Sequence, residues 1–245
     1  MSIVFKILKR ALIAAITLFC ISVIIFFMWR INSGNTPSDL KILSPNASLC
    51  DAYERDGKNL YVFFQPRQLE YTANDGANGY FFVSDTAIIP AANQVQTVVR
   101  YNNSTLSRLA EQYSLSAVPD RDSDIFEYSL VIAIDLTPEN KEDNLESDSE
   151  KVKLVHCKGK ITDSDSKYMY NFRRVVFDLD EYGLDLEALV NDGTLIAIYM
   201  EFFYTEAEDT ETALANLCLY DYLGEDKQVK LTAKDKKAIT AFAGN

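Results

Sequence analysis

The sequence predicts a mainly β, antiparallel, sandwich-like domain with a few short helices, preceded by one transmembrane helix. Two observations lead to this fold class. The stretch from Ala11 to Trp29 contains no charged residue, whereas the remainder contains about eight short apolar or alternating runs bounded by turn residues. Because these runs do not alternate regularly with helical segments, an antiparallel sandwich is favoured over a doubly wound parallel sheet.

The uncharged stretch has the length and the flanks of a membrane-spanning helix. Its 19 residues would extend about 28 Å as a helix, close to the roughly 30 Å hydrocarbon core of a bilayer. Lys6, Lys9 and Arg10 precede it, and positive charge tends to stay on the cytoplasmic side. We therefore expect a short cytoplasmic N-terminus at residues 1–10, a helix in membrane lipid at 11–30, and the rest outside the cytoplasm.

Two other interpretations of this stretch fit less well. The apolar core of a cleaved signal peptide is usually about 7–15 residues and ends at a small-residue cleavage site, whereas this run is longer and ends in Phe26-Phe27-Met28-Trp29. A buried core helix of a soluble domain normally keeps a polar face, which is missing here. A retained signal anchor is therefore the better prediction.

The charge of the remaining chain excludes one class of partner. Residues 31–245 carry 20 basic against 36 acidic side chains, a formal charge of −16. An acidic surface favours solubility and repels nucleic acid, and no basic stripe with interleaved aromatics is present. We therefore expect no nucleic-acid partner. Cys50, Cys157 and Cys218 lie outside the membrane stretch, and this odd number permits one disulfide without implying any.

The first part of the outer chain predicts a linker and then strands. Residues 31–50 are rich in Asn, Ser, Pro and Gly, which is typical of a stalk, so the β-rich domain is placed at 51–245. Aromatic and β-branched runs at 60–64, 80–83 and 94–101 predict three strands. The helical spacing of Leu106, Leu109, Ala110 and Tyr113 then predicts a helix, with Asn103 or Ser104 as its cap.

The middle of the chain predicts strands around an acidic loop. Even positions from Phe126 to Leu136 are all apolar, and this alternation indicates a long strand with one buried face. Residues 137–150 hold six acids and one lysine, which indicates a solvated loop. A strand is then predicted at 151–162, with a turn at 163–166.

The last third predicts three further strands, one of them with a bulge, and two helices. Tyr168, Tyr170 and Phe172 share one parity, and Val175 and Phe177 the other, which predicts a β-bulge at Arg173-Arg174. Residues 195–204 are apolar on both parities apart from Glu201, as in a central strand covered on both faces. A short helix at 184–190, a strand at 217–222 and a C-terminal helix capped by Thr232 and Asp235 complete the prediction.

One acidic motif is a candidate metal site. Asp120, Asp122 and Asp124 place carboxylates at alternate positions, as calcium loops do. The full EF-hand pattern fails, since Ile125 and Val131 stand where Gly and Glu are required. Ca²⁺ bound by these three aspartates is thus the one cofactor that we consider, and the alternative is a polar turn before the next strand.

A second acidic motif carries a resemblance. Val175–Asp180 (VVFDLD) resembles the strand ending in Asp-x-Asp of nucleotide-sugar glycosyltransferases, which are often anchored at their N-terminus. The resemblance implies that Asp178 and Asp180 would hold a divalent metal against a diphosphate. It covers six residues, and the sequence shows no preceding β-α-β nucleotide-binding unit.

The functional hypotheses rest mainly on the catalytic motifs that the sequence lacks. The sequence lacks a Gly-x-Ser-x-Gly motif and contains a single histidine, His156, which disfavours serine hydrolase chemistry, and no catalytic residue is assigned. The leading hypothesis is a non-catalytic binding module of the cell envelope whose partner is a protein or a cell-wall component. The alternatives are an envelope glycan-acting enzyme that uses paired carboxylates and a calcium-stabilised adhesion module.

Overall fold

A computed structural model describes residues 3–65, 69–70, 81–136, 152–206, 213–220 and 228–244. Within these residues the chain forms one long helix, four short helices and two antiparallel sheets. The helices are α1 (Ile3–Ser33), α2 (Ala47–Asp56), α3 (Asn103–Gln112), α4 (Leu186–Asn191) and α5 (Ala233–Ala243). The strands are β1 (Tyr61–Gln65), β2 (Leu69–Glu70), β3 (Phe82–Ile89), β4 (Gln94–Asn102), β5 (Phe126–Asp135), β6 (Val152–Lys158), β7 (Lys160–Lys167), β8 (Tyr170–Asp178), β9 (Leu195–Tyr204), β10 (Ala215–Tyr220) and β11 (Gln228–Lys230).

The two sheets pack face to face and enclose the main core. Sheet A has the strand order β11-β1-β3-β4-β8-β7, with β2 paired to β3, and sheet B has the order β10-β9-β5-β6. Aromatic rings join the sheets: Phe81 stacks on Phe202 with centroids 4.4 Å apart, and Tyr101 meets Phe126 edge to face at 5.1 Å. The predicted fold class, a mainly β sandwich-like domain after one apolar helix, is confirmed.

Helix α1 is long and apolar enough to cross a membrane. The qualifying stretch, Ile7–Ser33, has a mean hydropathy of 2.8 over its most apolar window, and none of that window is buried against the rest of the chain. It extends past the predicted 11–30 at both ends. A helix whose most apolar window is not buried in the domain is unlike the core helix of a soluble protein, whose apolar stripe packs inward.

The alternating strand β5 is confirmed, and its partner β9 is confirmed in part. The even residues of β5 face the core between the sheets. Strand β9 is central in sheet B because it pairs with both β5 and β10. From Ile198 onward only its even face, including Met200 and Phe202, is buried, while Tyr199, Glu201 and Phe203 are half-exposed. The prediction that both faces of β9 are covered was therefore wrong.

The bulge predicted at Arg173-Arg174 is also wrong. Strand β8 pairs with β4 in unbroken register from Tyr170 to Asp178. Its two apolar parities arise because both faces are buried: Phe172 lies beneath Leu40 on the outer face, and Phe177 lies in the core between the sheets. The irregularity falls instead on the neighbouring strand β7, between Ile161 and Asp163.

Strands β6 and β7 form one continuous segment that changes sheet at Gly159. β6 is an edge of sheet B and β7 is an edge of sheet A. A Cβ on Gly159 would lie 2.6 Å from side-chain carbons of both Val175 and Phe177, so the corner requires glycine. The turn predicted at 163–166 is wrong, since these residues continue β7, where an exposed edge tolerates a polar sequence.

The helix caps agree closely with the sequence. Thr232 and Asp235 form the predicted capping box of α5. Helix α3 begins one residue earlier than predicted, because Asn102 rather than Asn103 accepts the Thr105 N–H. Helix α4 confirms the short helix predicted near 184–190. The acidic loop predicted at 137–150 lies outside the described residues.

The segment predicted as a stalk is part of the folded domain. Residues Gly34–Asn46, which we call the strap, cross the outer face of sheet A, and α2 continues the same layer. Leu40, Leu43 and Leu49 are buried there. Small and polar residues in the strap suggested a flexible linker, but the widely spaced leucines bury it against the sheet.

Candidate functional site

The junction between α1 and the domain is held by specific contacts. Lys167 Nζ donates to the Asn32 carbonyl at 2.6 Å, at the helix end where the macrodipole favours a cation. The Arg100 guanidinium donates to the Gly34 carbonyl and lies 4.0 Å above the Phe82 ring. Since a Cβ on Gly34 would come within 2.9 Å of Arg100 Nη1, glycine permits this close approach. The helix therefore joins the domain directly.

Polar side chains of sheet A and of α5 bind the strap. Gln96 accepts the Ser44 N–H at 2.8 Å and donates to the Ser44 carbonyl at 2.9 Å. Asp235 accepts the Leu43 N–H at 2.9 Å, in addition to capping α5. Arg174, which is 1% exposed, donates to the Ile42 carbonyl at 2.9 Å. Burial lowers the pKa of Arg174 to about 10, against the opposing effect of nearby carboxylates.

The junction and the far end of sheet A define opposite ends of the domain. Strands β4 and β8 run between them, from Arg100 and Tyr170 near α1 to Gln94 and Asp178 at the other end. At about 3.3 Å per residue these nine-residue strands extend roughly 27 Å. We call the far end the distal end.

An open cleft of about 380 Å³ lies at the distal end between α2 and α4. Its acidic lining consists of Asp51, Asp180, Asp185 and Glu187. Asn93, in the left-handed conformation at φ 50°, donates to Asp180 at 2.6 Å and accepts the Leu186 N–H at 2.9 Å. Asp185 caps α4, and Glu187 lies 3.7 Å from Arg55. Three of the four carboxylates thus have protein partners.

A second cleft, of about 490 Å³, lies on the other side of the turn that follows β8. Lys158 and Lys160 line it together with Tyr182, whose hydroxyl accepts the Lys158 N–H at 2.7 Å. The Lys158 ammonium donates to Glu127 at 2.8 Å, and this pair is largely exposed. Asp178 and Glu181 also border the cleft, so its lining combines two cations, two carboxylates and hydroxyl groups.

The distal end of sheet B carries exposed apolar side chains, of which Val152 and Leu154 lie on its outer face. Leu136, Val152, Leu154 and Ile196 are 53%, 51%, 56% and 42% exposed, and we call them the exposed strip. They lie on or directly after the adjacent strands β6, β5 and β9. The strip is distal because the Asp135 N–H donates to Thr194, just after α4. Within the described parts of the chain, the short helices pack beside sheet A rather than on this face.

The acidic motif Asp120, Asp122 and Asp124 lies near the junction, in the turn before β5. Asp120 accepts the Asp122 N–H at 3.2 Å, and Asp124 lies 3.4 Å from Nε of the buried Arg173. In the parts of the chain that the structure describes, no three His, Cys, Asp or Glu side chains are grouped as metal ligands would be. The calcium site stays a prediction, which a change in melting temperature on adding or chelating Ca²⁺ would test.

The two aspartates of the second motif lie where β8 ends: Asp178 is its last residue, and Asp180 is in the turn that follows. Asp178 accepts the Asp180 N–H at 3.2 Å, and Asp180 accepts from Asn93. All strand pairs formed by the described residues are antiparallel. The parallel β-α-β unit that the glycosyltransferase resemblance would require is therefore missing from this part of the molecule.

The four cysteines are not joined by disulfides. Cys157 is buried between the sheets, where burial raises the pKa of its thiol to about 12. Cys218 is exposed on the opposite, outer face of sheet B, since it pairs with Tyr199. Burial likewise raises the pKa of Tyr128 in the same core.

Comparison with family models, with curated proteins and with solved structures finds no match. Sequence reasoning had placed Val152 and Leu154 in a strand but did not single out the exposed strip. The signal that would have indicated it is the pattern Val152-Lys153-Leu154-Val155, which follows the acidic stretch 137–150. Neighbouring residues of a strand point to opposite faces of the sheet, so an edge strand with apolar residues at both odd and even positions leaves one of the two groups exposed.

Proposed function

We propose that this chain is a single-pass membrane protein of the cell envelope, with a cytoplasmic N-terminus and its domain outside. The confirmed apolar helix supports the anchor. Three basic residues before the helix and an acidic domain after it support the orientation, because positive charge near the first membrane segment tends to remain inside.

Labelling of Cys218 tests this orientation. In right-side-out membrane vesicles, a membrane-impermeant maleimide should modify the exposed Cys218 and leave the buried Cys157 unmodified. A Cys218→Ser variant provides the control for specificity. Modification of Cys218 only after the vesicles are opened would contradict the proposed orientation.

We further propose that the domain is a non-catalytic binding module and that its partner is a protein that docks on the exposed strip. The observation that carries this proposal is the strip itself. Four apolar side chains, each about half exposed, together present on the order of a few hundred Å² of apolar surface, which on a monomer often marks a protein-binding site. The strip lies at the distal end, away from α1, where a partner outside the bilayer would have access.

Site-specific photo-crosslinking in native membranes tests the docking site. A photoreactive amino acid at position 154 should capture a discrete partner, whereas the same residue at Val229 should not, although Val229 is also exposed on an edge strand. Adding Ile196→Asp to the variant that carries the photoreactive residue at position 154 should abolish the capture without altering the melting temperature. Equal capture at 154 and 229, or no capture at either position, would contradict the proposal.

The acidic cleft of about 380 Å³ favours one second candidate, an enzyme that acts on envelope glycans through paired carboxylates. Glycan hydrolysis requires two carboxyl groups about 5 Å or about 6.5–9.5 Å apart, and Asp51, Asp180, Asp185 and Glu187 border one cleft. Hydrolysis of wall glycan by the purified full chain, lost in Asp180→Asn or Asp51→Asn, would establish this activity. Unchanged glycan after prolonged incubation would leave the binding module as the better account.

A further inference from the structure

The turn between β7 and β8 carries two exposed apolar side chains beside the end of α1. Tyr168 and Met169 form this turn and are 57% and 39% exposed. The Tyr168 ring packs edge-on against Trp29, with ring centroids 4.2 Å apart. Because Trp29 ends the uncharged stretch of α1, Tyr168 lies at nearly the same depth along the helix axis.

That depth corresponds to the boundary between lipid chains and headgroups. A helical run from Ala11 to Trp29 is about as long as the hydrocarbon core is thick, so Trp29 would lie at the interface. Tryptophan and tyrosine rings concentrate there because each has an apolar body and a polar edge. Lys167 follows the same pattern: its ammonium group holds the Asn32 carbonyl, one turn beyond the apolar run.

The backbone at Tyr168 adds an independent observation. Its φ of 59° lies in the left-handed region, which glycine or asparagine adopts far more readily than tyrosine. The Arg121 guanidinium donates to the Tyr168 carbonyl at 3.2 Å and so supports this conformation. A bulky ring that is kept at a strained, exposed position suggests a use outside the folding of the domain.

We propose that the Tyr168-Met169 turn is a second membrane contact, which inserts into the interface of the bilayer that α1 crosses. Tyr168 and Met169 lie at the boundary between headgroups and acyl chains, while Lys167 and Arg30 lie near lipid phosphates. This inference rests on the proposed membrane anchor. Together with the direct junction at Gly34, the second contact holds the domain in one orientation, with the exposed strip and the two clefts facing away from the membrane.

Depth-dependent fluorescence quenching tests the contact on the full chain. The chain is reconstituted in vesicles of phosphatidylcholine and phosphatidylglycerol that contain lipids with a nitroxide near the headgroup. An environment-sensitive fluorophore is attached through Met169→Cys or, as a control of matched exposure at the distal end, through Ile196→Cys. Both variants carry Cys20→Ala and Cys218→Ser. Trp29, the single tryptophan, reports on the anchor in the same samples.

We expect strong quenching of Trp29 and several-fold stronger quenching at position 169 than at 196. Quenching of Trp29 with equally weak quenching at 169 and 196 would overturn the second contact and leave the anchor intact. Unquenched Trp29 would overturn the anchor and this inference together.

A second variant separates membrane contact from a role in folding. Tyr168→Gly removes the ring and relieves the positive φ, so the melting temperature in detergent should not fall, whereas quenching at position 169 should weaken in vesicles. Tyr168→Phe keeps an apolar ring and should retain the quenching. A melting temperature that falls for Tyr168→Gly in detergent, with quenching at 169 unchanged in vesicles, would show that the ring serves only to pack against Trp29.

Discussion

The two sheets of this domain differ in how their outer faces are treated. The outer face of sheet A is covered by the strap, α2 and α5, and it carries polar and charged side chains that are buried, among them Gln94, Gln96 and Arg174. The outer face of sheet B is only partly covered: Val152 and Leu154 of the exposed strip are exposed there, whereas Val131 and Ala133 are buried. The face with more polar side chains is thus the more deeply buried one.

The chemistry of the covering layer explains this difference. The strap is irregular, so its backbone N–H and C=O groups require partners once water is excluded. Gln96, Asp235 and Arg174 supply these partners. The two inner faces meet through side chains and are mainly apolar, although Arg173 and Asn171 are buried on the inner side of β8 near the junction. A buried sheet face is thus more polar where it meets extended backbone and mainly apolar where it meets another sheet.

The corner at Gly159, which connects the two sheets, should give the largest loss when it is changed. Gly159→Ala places a methyl group 2.6 Å from Val175 and Phe177, and we expect the free energy of unfolding to fall by about 3 kcal/mol, the upper range for overpacking a core. Urea unfolding of the full chain in detergent measures this. Gly244→Ala, whose Cβ would meet only an ordinary contact at 3.5 Å, is the control. Equal stability of the two variants would contradict the assigned role of the corner.

A matched pair of cation substitutions compares the two outer faces directly. Arg174→Met leaves the part-buried Ile42 carbonyl without its donor, and we expect a loss of about 2 kcal/mol. Lys158→Met removes the exposed pair with Glu127 on sheet B and should change stability by less than about 0.5 kcal/mol. Thermal melting of both variants in the same detergent makes the comparison. Similar losses of stability in both variants would mean that burial of Arg174 beneath the strap does not make it more important to stability than the exposed Lys158.

Two cysteines on opposite faces of sheet B give an effect that depends on pH. The folded state keeps the Cys157 thiol protonated up to about pH 12, whereas an unfolded thiol ionises near pH 8.5. Between these values the unfolded state binds fewer protons, so stability contributed by the neutral thiol falls as the pH rises. Cys157→Ala should be less stable at pH 7 but should lose less stability between pH 8 and pH 10.

Cys218→Ala is the control for that measurement, because its thiol is exposed on the outer face. Its stability should follow the wild-type chain over the same pH range. Parallel curves for the wild-type chain and for Cys157→Ala would contradict the burial of Cys157.

Much of the fold could be predicted because its signals are local. The uncharged run predicts α1, the strict alternation from Phe126 onward predicts β5, and the spacing of Thr232 and Asp235 predicts a helix start that the structure confirms in detail. In each case the pattern reflects the period of a single element, which does not depend on what the element packs against. The candidate calcium loop also rested on a local pattern, and it stays a prediction.

The sequence by itself determined the long apolar helix, the sandwich class and the strands whose polarity alternates. Only the tertiary structure decided that residues 34–46 form a strap, that Arg174 is buried, and that the chain changes sheet at Gly159. The physical reason is that a polar residue on a strand has the same local pattern whether it meets water or the backbone of a distant segment. Which of the two it meets, and hence which side chains stay exposed, depends on contacts between residues far apart in the chain.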